Sequence, residues 1–302
     1  MMNLTGVFPA TTTKLNKAGE VDIAACQASY ERLIDGGVSG LIVLPMLGEN
    51  PCMTLAEKEA VLRAALEVSN GRVPVLTGLA EASSEDAVAA AKRYASWGAE
   101  GFMAFPSTAY KTDPRETVAW YRMLGKATDL PIMIYNNPIA YGVDVTPDLL
   151  AELADVDTIM AVKEETGDIR RVTDIYNTVG DRYKVFCGVD DLILESVALG
   201  ATGWVSGMTN AWPKECVEIF NLCAAGKFDE ARPLYRLMTP AFHLDTDVKL
   251  VQYIKIAEHL TSGAPEWVRA PRLALEGEER ERVSAVILDT IAALKASRAA
   301  AA

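Results

Sequence analysis

The chain has 302 residues, of which 50% are hydrophobic, so it can bury a full core in one large domain or in two modest ones. Its 41 acidic residues outnumber its 29 basic ones, and the net charge of -12 argues against nucleic acid or an anionic membrane as a partner. No basic stretch followed by an apolar segment opens the chain, and no apolar run approaches the roughly 20 residues of a membrane span. A cytosolic protein is therefore expected.

Short apolar segments alternate with helical patterns along most of the chain. Thr54 and Glu57 form a capping box, Ser84 is predicted to cap the helix that runs through Trp97, and Asp113 precedes a proline in a first turn. The predicted strands are residues 6–10, 40–44, 73–78, 101–105, 131–135, 159–162, 183–187 and 203–206. Eight strand-helix units at a spacing of roughly 25 to 30 residues predict a parallel (β/α)8 barrel. No GxGxxG opens the first unit, which removes the usual dinucleotide interpretation.

The chain beyond the predicted eighth unit carries further amphipathic helices, at residues 229–238, 243–260 and 276–295. They predict a C-terminal helical domain, residues 226–302, packed on a barrel of residues 1–225. Its alanine-rich end, residues 299–302, is expected to fray.

The cysteines and histidines do not indicate a disulfide framework or a zinc site. None of the five cysteines forms a CxxC pair, and His243 and His259 lie far in sequence from any cysteine. We expect reduced, mostly buried thiols, no metal and no organic cofactor.

Lys163 follows the apolar segment that makes the predicted sixth strand. The carboxyl ends of barrel strands are where ligands bind and catalytic side chains project. Burial there disfavours the charged form of an amine, so the free amine becomes available to attack a carbonyl. The alternative is a strand-end lysine that is merely paired with Glu164 or Glu165.

Tyr135 ends the neighbouring fifth strand, so its side chain can enter the same mouth of the barrel. A phenol beside an imine-forming lysine can relay protons during such a reaction. The alternative is a rim tyrosine whose hydroxyl binds a backbone group. Met46, Leu47 and Gly48 follow the second strand and could present successive backbone N–H groups to a carboxylate.

Four segments carry a recognisable pattern: Tyr-Asn-Asn-Pro at 135–138, Val-Lys-Glu-Glu-Thr-Gly-Asp at 162–168, Gly-Glu at 48–49 and the glycine-rich segment 188–203. In order and spacing they resemble the dihydrodipicolinate synthase and N-acetylneuraminate lyase family, from about residue 6 to beyond residue 227. The resemblance implies a barrel with a C-terminal helical domain, usually a homotetramer. It also implies a lysine that forms a Schiff base with the ketone of a 2-oxo acid.

Carried onto this chain, the resemblance makes Lys163 the Schiff-base lysine and Tyr135 the proton relay. The backbone at Met46 and Leu47 would hold the substrate carboxylate. The predicted substrate-binding residues are Met46, Leu47, Gly48, Tyr110, Gly188 and Ser206. Gly142 and Asn210 could shape the outer pocket, or could equally serve a turn and a loop.

Two departures from the family pattern limit what the resemblance implies. Family members commonly have two hydroxyl residues before Gly-Glu, where this chain has Met46 and Leu47, so the hydroxyl that links the relay tyrosine to a neighbouring subunit's tyrosine is missing. An ordered water or Tyr110 is expected to take its place. True synthases have an arginine two residues after the proline of the tyrosine motif, where this chain has Ala140. Loss of that bidentate carboxylate clamp argues against lysine-pathway synthesis.

The leading hypothesis is therefore a class I lyase that acts on a short 2-oxo acid by aldol cleavage, dehydration or deamination. Residues 245–255 resemble the hydroxyproline-degrading deaminase branch, while sugar-acid aldolases and dehydratases remain open. Three alternatives are a true 4-hydroxy-tetrahydrodipicolinate synthase, a non-catalytic 2-oxo-acid-binding barrel, and a metal-dependent barrel aldolase. The last is disfavoured because neither histidine lies at a predicted strand end. Apolar Met46 and Leu47 with small Ala140 predict a compact outer pocket.

Overall fold

Eight short strands form one parallel sheet in the computed structural model, which describes residues 4–301. They are β1 (Gly6–Pro9), β2 (Leu41–Val43), β3 (Val75–Leu79), β4 (Gly101–Ala104), β5 (Ile132–Asn136), β6 (Ile159–Glu164), β7 (Lys184–Cys187) and β8 (Gly203–Ser206). The strand order is β1-β8-β7-β6-β5-β4-β3-β2, and a parallel bridge between Ala10 and Ile42 joins the two ends. The strands are buried almost throughout, because helices cover the outside of the ring and side chains fill its inside.

Helices alternate with the strands and then continue beyond them. They are α1 (Ile23–Asp35), α2 (Leu55–Ser69), α3 (Ser84–Ser96), α4 (Pro114–Ala127), α5 (Pro138–Tyr141), α6 (Pro147–Glu152), α7 (Arg170–Val179), α8 (Ile193–Ala198), α9 (Pro213–Ala224), α10 (Phe228–Phe242), α11 (Leu250–Ser262) and α12 (Gly277–Ala301). The predicted (β/α)8 barrel with a C-terminal helical extension is confirmed. None of the helices within residues 4–301 is both long and apolar enough to cross a membrane.

Most of the predicted helix starts agree with the structure. The capping box at Thr54 starts α2, and a second one at Asp113 starts α4. The cap of α3 was predicted one residue late: Ser83 is the extended residue whose hydroxyl accepts the Asp86 N–H at 3.1 Å, and Ser84 already lies in the helix. Two adjacent serines offer the same side chain, so only the backbone conformation distinguishes them.

The C-terminal region departs from the prediction at two points. Residues 243–260 do not form a single helix, because a short 3-10 turn, His243–Thr246, is followed by extended Asp247 before α11 begins at Leu250. The chain end is helical through Ala301, where fraying was expected, and Ala302 lies outside the described residues. The predicted domain boundary at 225/226 falls in the turn between α9 and α10 and stays a prediction.

Two buried ion pairs attach α11 to the barrel. Lys14 Nζ lies 2.6 Å from Glu258 Oε1, and Lys255 Nζ lies 2.6 Å from Glu49 Oε1; all four side chains are fully buried. The Thr12 hydroxyl also donates to Glu258, at 2.7 Å. Buried charges are tolerated only when their partners are in place, so these pairs specify how α11 sits on the barrel.

A third contact between the two regions gives a pH prediction. The Arg269 guanidinium lies 2.7 and 2.9 Å from the two carboxylate oxygens of Glu57, and these hydrogen bonds lower the pKa of Glu57 to about 2. A carboxyl with a lowered pKa stabilises the fold above its unfolded-state pKa, and this contribution is lost as the pH falls toward the folded-state pKa. Glu57→Gln should lower the free energy of unfolding at neutral pH by about 1–3 kcal/mol. It should also flatten the loss of stability below about pH 4.5 in urea titrations.

Glu59→Gln is the matched control, because Glu59 lies on the same helix in an exposed pair with Arg63. Its effect should stay below about 0.5 kcal/mol at every pH. Equal effects of the two variants would show that the Arg269 contact contributes no stability of its own.

Candidate active site

Tyr135 and Lys163 lie side by side at the carboxyl end of the barrel. Tyr135 pairs in register with Lys163 across β5 and β6, and each residue is only 6% exposed. Strand β6 continues two residues further than predicted, to Glu164, so Lys163 is its penultimate residue. The sheet itself therefore positions both side chains.

One chain of contacts links the phenol to the amine. Lys163 Nζ lies 4.0 Å from the centre of the Tyr135 ring and 2.6 Å from Glu165 Oε2. The Asn137 amide nitrogen donates to the Tyr135 oxygen at 3.2 Å and to Glu165 Oε1 at 2.9 Å. Lys163 is thus paired with Glu165, as the alternative interpretation required, but the same carboxylate is placed to accept the proton that the amine must lose before it attacks a carbonyl.

Glu164 has a different set of partners. Its carboxylate accepts hydrogen bonds from the Asn136 amide at 3.0 Å and from the Thr166 N–H at 2.7 Å. Glu164 and Lys163 have different partners because successive strand residues point to opposite sides. Burial raises the pKa of Glu164, and these hydrogen bonds oppose the rise. Glu164 therefore orders the connection after β6, while Lys163 faces the mouth.

A second phenol, absent from the sequence predictions, contacts Tyr135. Tyr141 lies with its ring centre 5.5 Å from that of Tyr135, and Phe105 lies 4.8 Å from Tyr135 and 5.4 Å from Tyr141, all edge to face. Burial is the largest cause that raises the pKa of Tyr141, and the negative charges of ionised Tyr135 and of Glu165 add to the rise. Burial, with Glu165 as the next cause, likewise raises the pKa of Tyr135. Both groups therefore remain proton donors at neutral pH.

The single turn α5 places Tyr141 there. Asn137 caps the turn by accepting the Ala140 N–H at 2.9 Å, Pro138 begins it, and Gly142 ends it with a positive φ of 71°. Gly142 thus serves a turn, one of the two roles considered for it. The Asn-Pro start and the glycine end were visible in the sequence, and they could have indicated that residue 141 turns back over the strand.

Two further carboxyl groups stand near the amine. Asp190 is fully buried and accepts the Trp204 indole N–H at 2.9 Å and the Met208 N–H at 2.7 Å. Burial raises its pKa, and the positive charge of Lys163 is among the opposing causes. Ser206 is buried at the end of β8. Its hydroxyl forms a hydrogen bond with Asp190, and its oxygen accepts the Thr209 N–H at 3.0 Å.

Asp245 reaches the same region from the 3-10 turn after α10. Its Oδ1 lies 2.5 Å from the point where a Cβ on Gly207 would stand, so it packs directly against the end of β8. Burial raises its pKa, the charge of Asp190 adds to the rise and that of Lys163 opposes it. The mouth thus combines one amine with the Glu165 carboxylate beside it and with two carboxyl groups whose raised pKa values favour their neutral forms, so Glu165 is the group that stabilises a cation there.

Gly188 borders the amine directly. A Cβ at this position would lie 3.0 Å from Lys163 Cε and 2.9 Å from both the Glu164 carbonyl oxygen and Glu165 Cβ. A side chain there would displace the lysine or its strand, so this predicted residue leaves space rather than supplying a polar contact.

The turn after β2 holds the predicted carboxylate-binding groups. The Gly48 N–H donates to the Pro45 carbonyl at 3.0 Å, whereas within residues 4–301 the Met46 and Leu47 N–H groups donate to no protein acceptor. A Cβ on Gly48 would lie 3.0 Å from the Thr11 carbonyl oxygen, so the turn has no room for a side chain there. Carboxylate binding by this turn stays a prediction.

Tyr110 does not join this group within the single chain. It is 59% exposed, and its hydroxyl donates to Glu116 at 2.8 Å. A role for Tyr110 across a subunit boundary stays a prediction. Asn210 serves the barrel interior, since its amide donates to the Ala10 and Gly207 carbonyls, each at 2.8 Å.

The cysteines and the two histidines have structural surroundings. All five cysteines are free and four are buried, as expected. Among the described residues, no group of three or more His, Cys, Asp or Glu side chains is arranged to hold a metal ion. His243 instead contacts Asp191, 2.6 Å from Nδ1 to Oδ2, and His259 lies 2.9 Å from the Ala264 carbonyl oxygen.

Known proteins share both this fold and this sequence pattern. The family model described as the dihydrodipicolinate synthetase family matches residues 3–290. A 4-hydroxy-tetrahydrodipicolinate synthase of Exiguobacterium sibiricum is 30% identical over 96% of this chain and 98% of its own. A probable 2-dehydro-3-deoxy-D-pentonate aldolase, YjhH of Escherichia coli, is 30% identical over 84% of this chain and 87% of its own. The crystal structure of a putative dihydrodipicolinate synthetase from Pseudomonas aeruginosa superposes with a TM-score of 0.89 at 30% identity, covering 95% of this chain and 100% of that one.

The chain therefore belongs to the dihydrodipicolinate synthetase family, whose members are class I lyases. The expected family and the expected lyase class are confirmed. The relatives carry both synthase and aldolase names, so membership by itself leaves the reaction open.

Proposed function

We propose that this protein is a Schiff-base lyase for a short 2-oxo acid, with Lys163 as the nucleophile. The observation that carries the proposal is the placement of the Lys163 amine between the Tyr135 ring and Glu165 at the carboxyl rim of the barrel. Glu165 accepts a proton from the ammonium, and the free amine adds to the C2 ketone. The resulting carbinolamine loses water, with a proton supplied through Tyr135, and leaves an iminium on Lys163.

The iminium makes one mechanism serve several reactions. It withdraws electrons from C2, so a bond at C3 can break and leave its electron pair in an enamine. In aldol cleavage the C3–C4 bond breaks, an aldehyde leaves and the enamine is reprotonated at C3. In dehydration the C3 proton leaves and the enamine expels the C4 hydroxyl as water; ring-opening deamination follows the same course after Lys163 has displaced the ring nitrogen from C2, and water then releases that nitrogen as ammonia. Hydrolysis of the iminium frees Lys163 in each case, so the outer pocket selects among the reactions.

Tyr141 is proposed as the second member of the proton relay. Met46 and Leu47 have no hydroxyl to offer Tyr135, and Tyr110 is engaged by Glu116. The Tyr141 phenol lies against Tyr135 in the same chain and stays protonated. It replaces the water or Tyr110 that the sequence suggested.

The charges of the mouth support a substrate with a single carboxylate. That carboxylate would bind the free N–H groups of Met46 and Leu47. Beyond it, Asp245 provides a carboxyl group for a hydroxyl or an amine, and Ala140 provides no cation for a second carboxylate. A five- or six-carbon 2-keto-3-deoxy acid, or a hydroxyproline-derived pyrroline carboxylate, meets these requirements, and the aldolase name of the YjhH relative agrees with the first.

The second candidate function is 4-hydroxy-tetrahydrodipicolinate synthesis, which the name of the Exiguobacterium relative favours. It requires recognition of a second carboxylate, for which Ala140 provides no cation. A non-catalytic 2-oxo-acid-binding barrel would have no need for the contact chain from Tyr135 to Lys163. We further propose a homotetramer in the cytosol, as the family resemblance implies.

Lys163→Met and Lys163→Arg should both abolish turnover, because neither side chain can form an imine. Wild-type protein incubated with pyruvate and borohydride should carry a reduced adduct on Lys163, detectable by mass spectrometry of peptides. Lys184→Met is the matched control, since Lys184 is an exposed lysine at the opposite, amino-terminal end of β7. Its trapping should equal that of the wild type, and an adduct on a lysine other than Lys163 would overturn the assignment.

Tyr135→Phe should lower kcat by roughly 10²- to 10⁴-fold, the range for a positioned proton-transfer group. Tyr141→Phe should lower kcat by about tenfold or more with a smaller effect on KM. Tyr94→Phe is the control, because Tyr94 is buried in α3 with its hydroxyl toward Glu81. A loss in Tyr110→Phe without one in Tyr141→Phe would show that the relay crosses the subunit boundary instead.

Specificity constants should rank short monocarboxylate substrates above the synthase reaction. The pyrroline carboxylate or a five-carbon 2-keto-3-deoxy acid should exceed pyruvate plus aspartate semialdehyde, and should also exceed N-acetylneuraminate. Ala140→Arg, which adds a cation on the exposed side of α5, should raise the synthase reaction relative to the others. Efficient condensation by the wild type would contradict the single-carboxylate proposal.

A further inference from the structure

The turn after β2 is held in an unfavourable backbone conformation. Leu44 and Glu49 have φ angles of 53° and 58°, in the left-handed region that residues with a side chain rarely adopt. They bracket the turn 45–48, which carries the free Met46 and Leu47 N–H groups. Such strain persists only where surrounding groups hold the chain in place.

Barrel residues hold the inner side of this turn. The Asn50 amide donates to the Leu44 carbonyl at 2.8 Å, and the Thr13 hydroxyl donates to the Gly48 carbonyl at 2.7 Å. A Cβ on Gly78 would come within 2.2 Å of the Leu44 carbonyl oxygen, so β3 must carry glycine at this point. The Glu49 N–H also donates to the Met46 carbonyl at 2.9 Å, so it is the Glu49 side chain that is left to be held from outside the barrel.

The C-terminal region holds that side chain. Glu49 is fully buried, with Oε1 2.6 Å from Lys255 Nζ and Oε2 accepting the Arg269 backbone N–H at 2.9 Å. Lys255 Nζ also donates to the Trp267 carbonyl at 2.7 Å, which ties α11 to the following segment. Both oxygens of the Glu49 carboxylate are therefore occupied by groups more than two hundred residues away in sequence.

The Arg269 side chain secures the chain just beyond the turn. Its guanidinium donates to the Cys52 carbonyl at 2.8 Å and forms the paired contacts with Glu57 at the start of α2. It also donates to the Gly19 carbonyl. One residue thus fixes Glu49 through its backbone and the segment after it through its side chain.

We infer that Lys255 and Arg269 are positioning residues for the reaction: from outside the barrel, they hold the turn 45–48 in the strained form that leaves the Met46 and Leu47 N–H groups free for the substrate carboxylate. The inference rests on the proposed function, because the carboxylate is that of the 2-oxo acid. Neither residue touches the reacting atoms. Without them the turn relaxes toward ordinary backbone angles, and the two N–H groups lose their alignment.

The test compares covalent trapping of the full-length chain across pyruvate concentrations in the presence of borohydride. Arg269→Met keeps the backbone N–H to Glu49 but removes the guanidinium contacts with Cys52 and Glu57 that hold this backbone against the turn. It should raise the half-saturating pyruvate concentration by about tenfold or more, since small misplacements of binding groups have large effects. The maximal adduct on Lys163 should be unchanged. Arg269→Lys, which keeps a charge near Glu57, should restore part of the affinity. Hydroxyacetone, a ketone without a carboxylate, should be trapped with the same concentration dependence in wild type and variant.

Lys255→Met is the second variant, and it leaves the buried Glu49 carboxylate with only the more distant Arg272 guanidinium, 3.8 Å away, as a counter-ion. If it fails to fold, Arg269→Met still decides the question. Arg182→Met is the matched control, because the Arg182 guanidinium binds the carbonyls of Ala154, Val156 and Ile159 at the other end of the barrel. It should lower stability and leave the pyruvate dependence unchanged.

A purely structural role predicts a different result. Arg269→Met would then lower the melting temperature as Arg182→Met does, with no change in half-saturation by pyruvate, and that result would overturn the inference. An equal loss of affinity for hydroxyacetone would also overturn it, because the carboxylate would not be the group affected. Failure of the wild type to form any adduct would instead overturn the proposed function, and the inference with it.

Discussion

Closure of eight parallel strands into one ring is the constraint on which the rest of the structure depends. Because every strand runs in the same direction, all the carboxyl ends open at one rim. Tyr135 and Lys163 are opposite each other in register, so backbone hydrogen bonds set their separation. Gly188, after the next strand, leaves the space that the amine occupies. Both residues of the proposed reactive pair are thereby built on strands of the barrel rather than on loops.

Electrostatics at this rim give the barrel its chemical character. Glu165 lies 2.6 Å from the Lys163 amine, and the buried carboxyl groups of Asp190 and Asp245 lie in the same region, where charges interact more strongly than in water. Because burial raises the pKa values of both aspartates, Glu165 is the group that stabilises a cation at Lys163. In the proposed mechanism that cation is the ammonium before the reaction and the iminium during it.

The C-terminal helices are part of the rim's construction. The Lys14–Glu258 pair fixes α11 on the barrel, and the Glu49–Lys255 pair carries that placement to the turn after β2. Buried ion pairs pay a desolvation cost that only complete networks offset, so they specify one arrangement among many. The same helices also bring Asp245 to the end of β8. Regions far apart in sequence therefore shape one site.

The sequence by itself determined the strands, most helix starts, and the placement of Lys163 and Tyr135 at neighbouring strand ends, because apolar runs, caps and strand ends are local signals. It misplaced the cap of α3 and joined two helical segments across Asp247, where the backbone conformation decides. Only the tertiary structure placed Tyr141 against Tyr135 and joined Glu49 to Lys255. Those contacts depend on chain reversal and on barrel closure, and neither leaves a periodic pattern in the residues that meet.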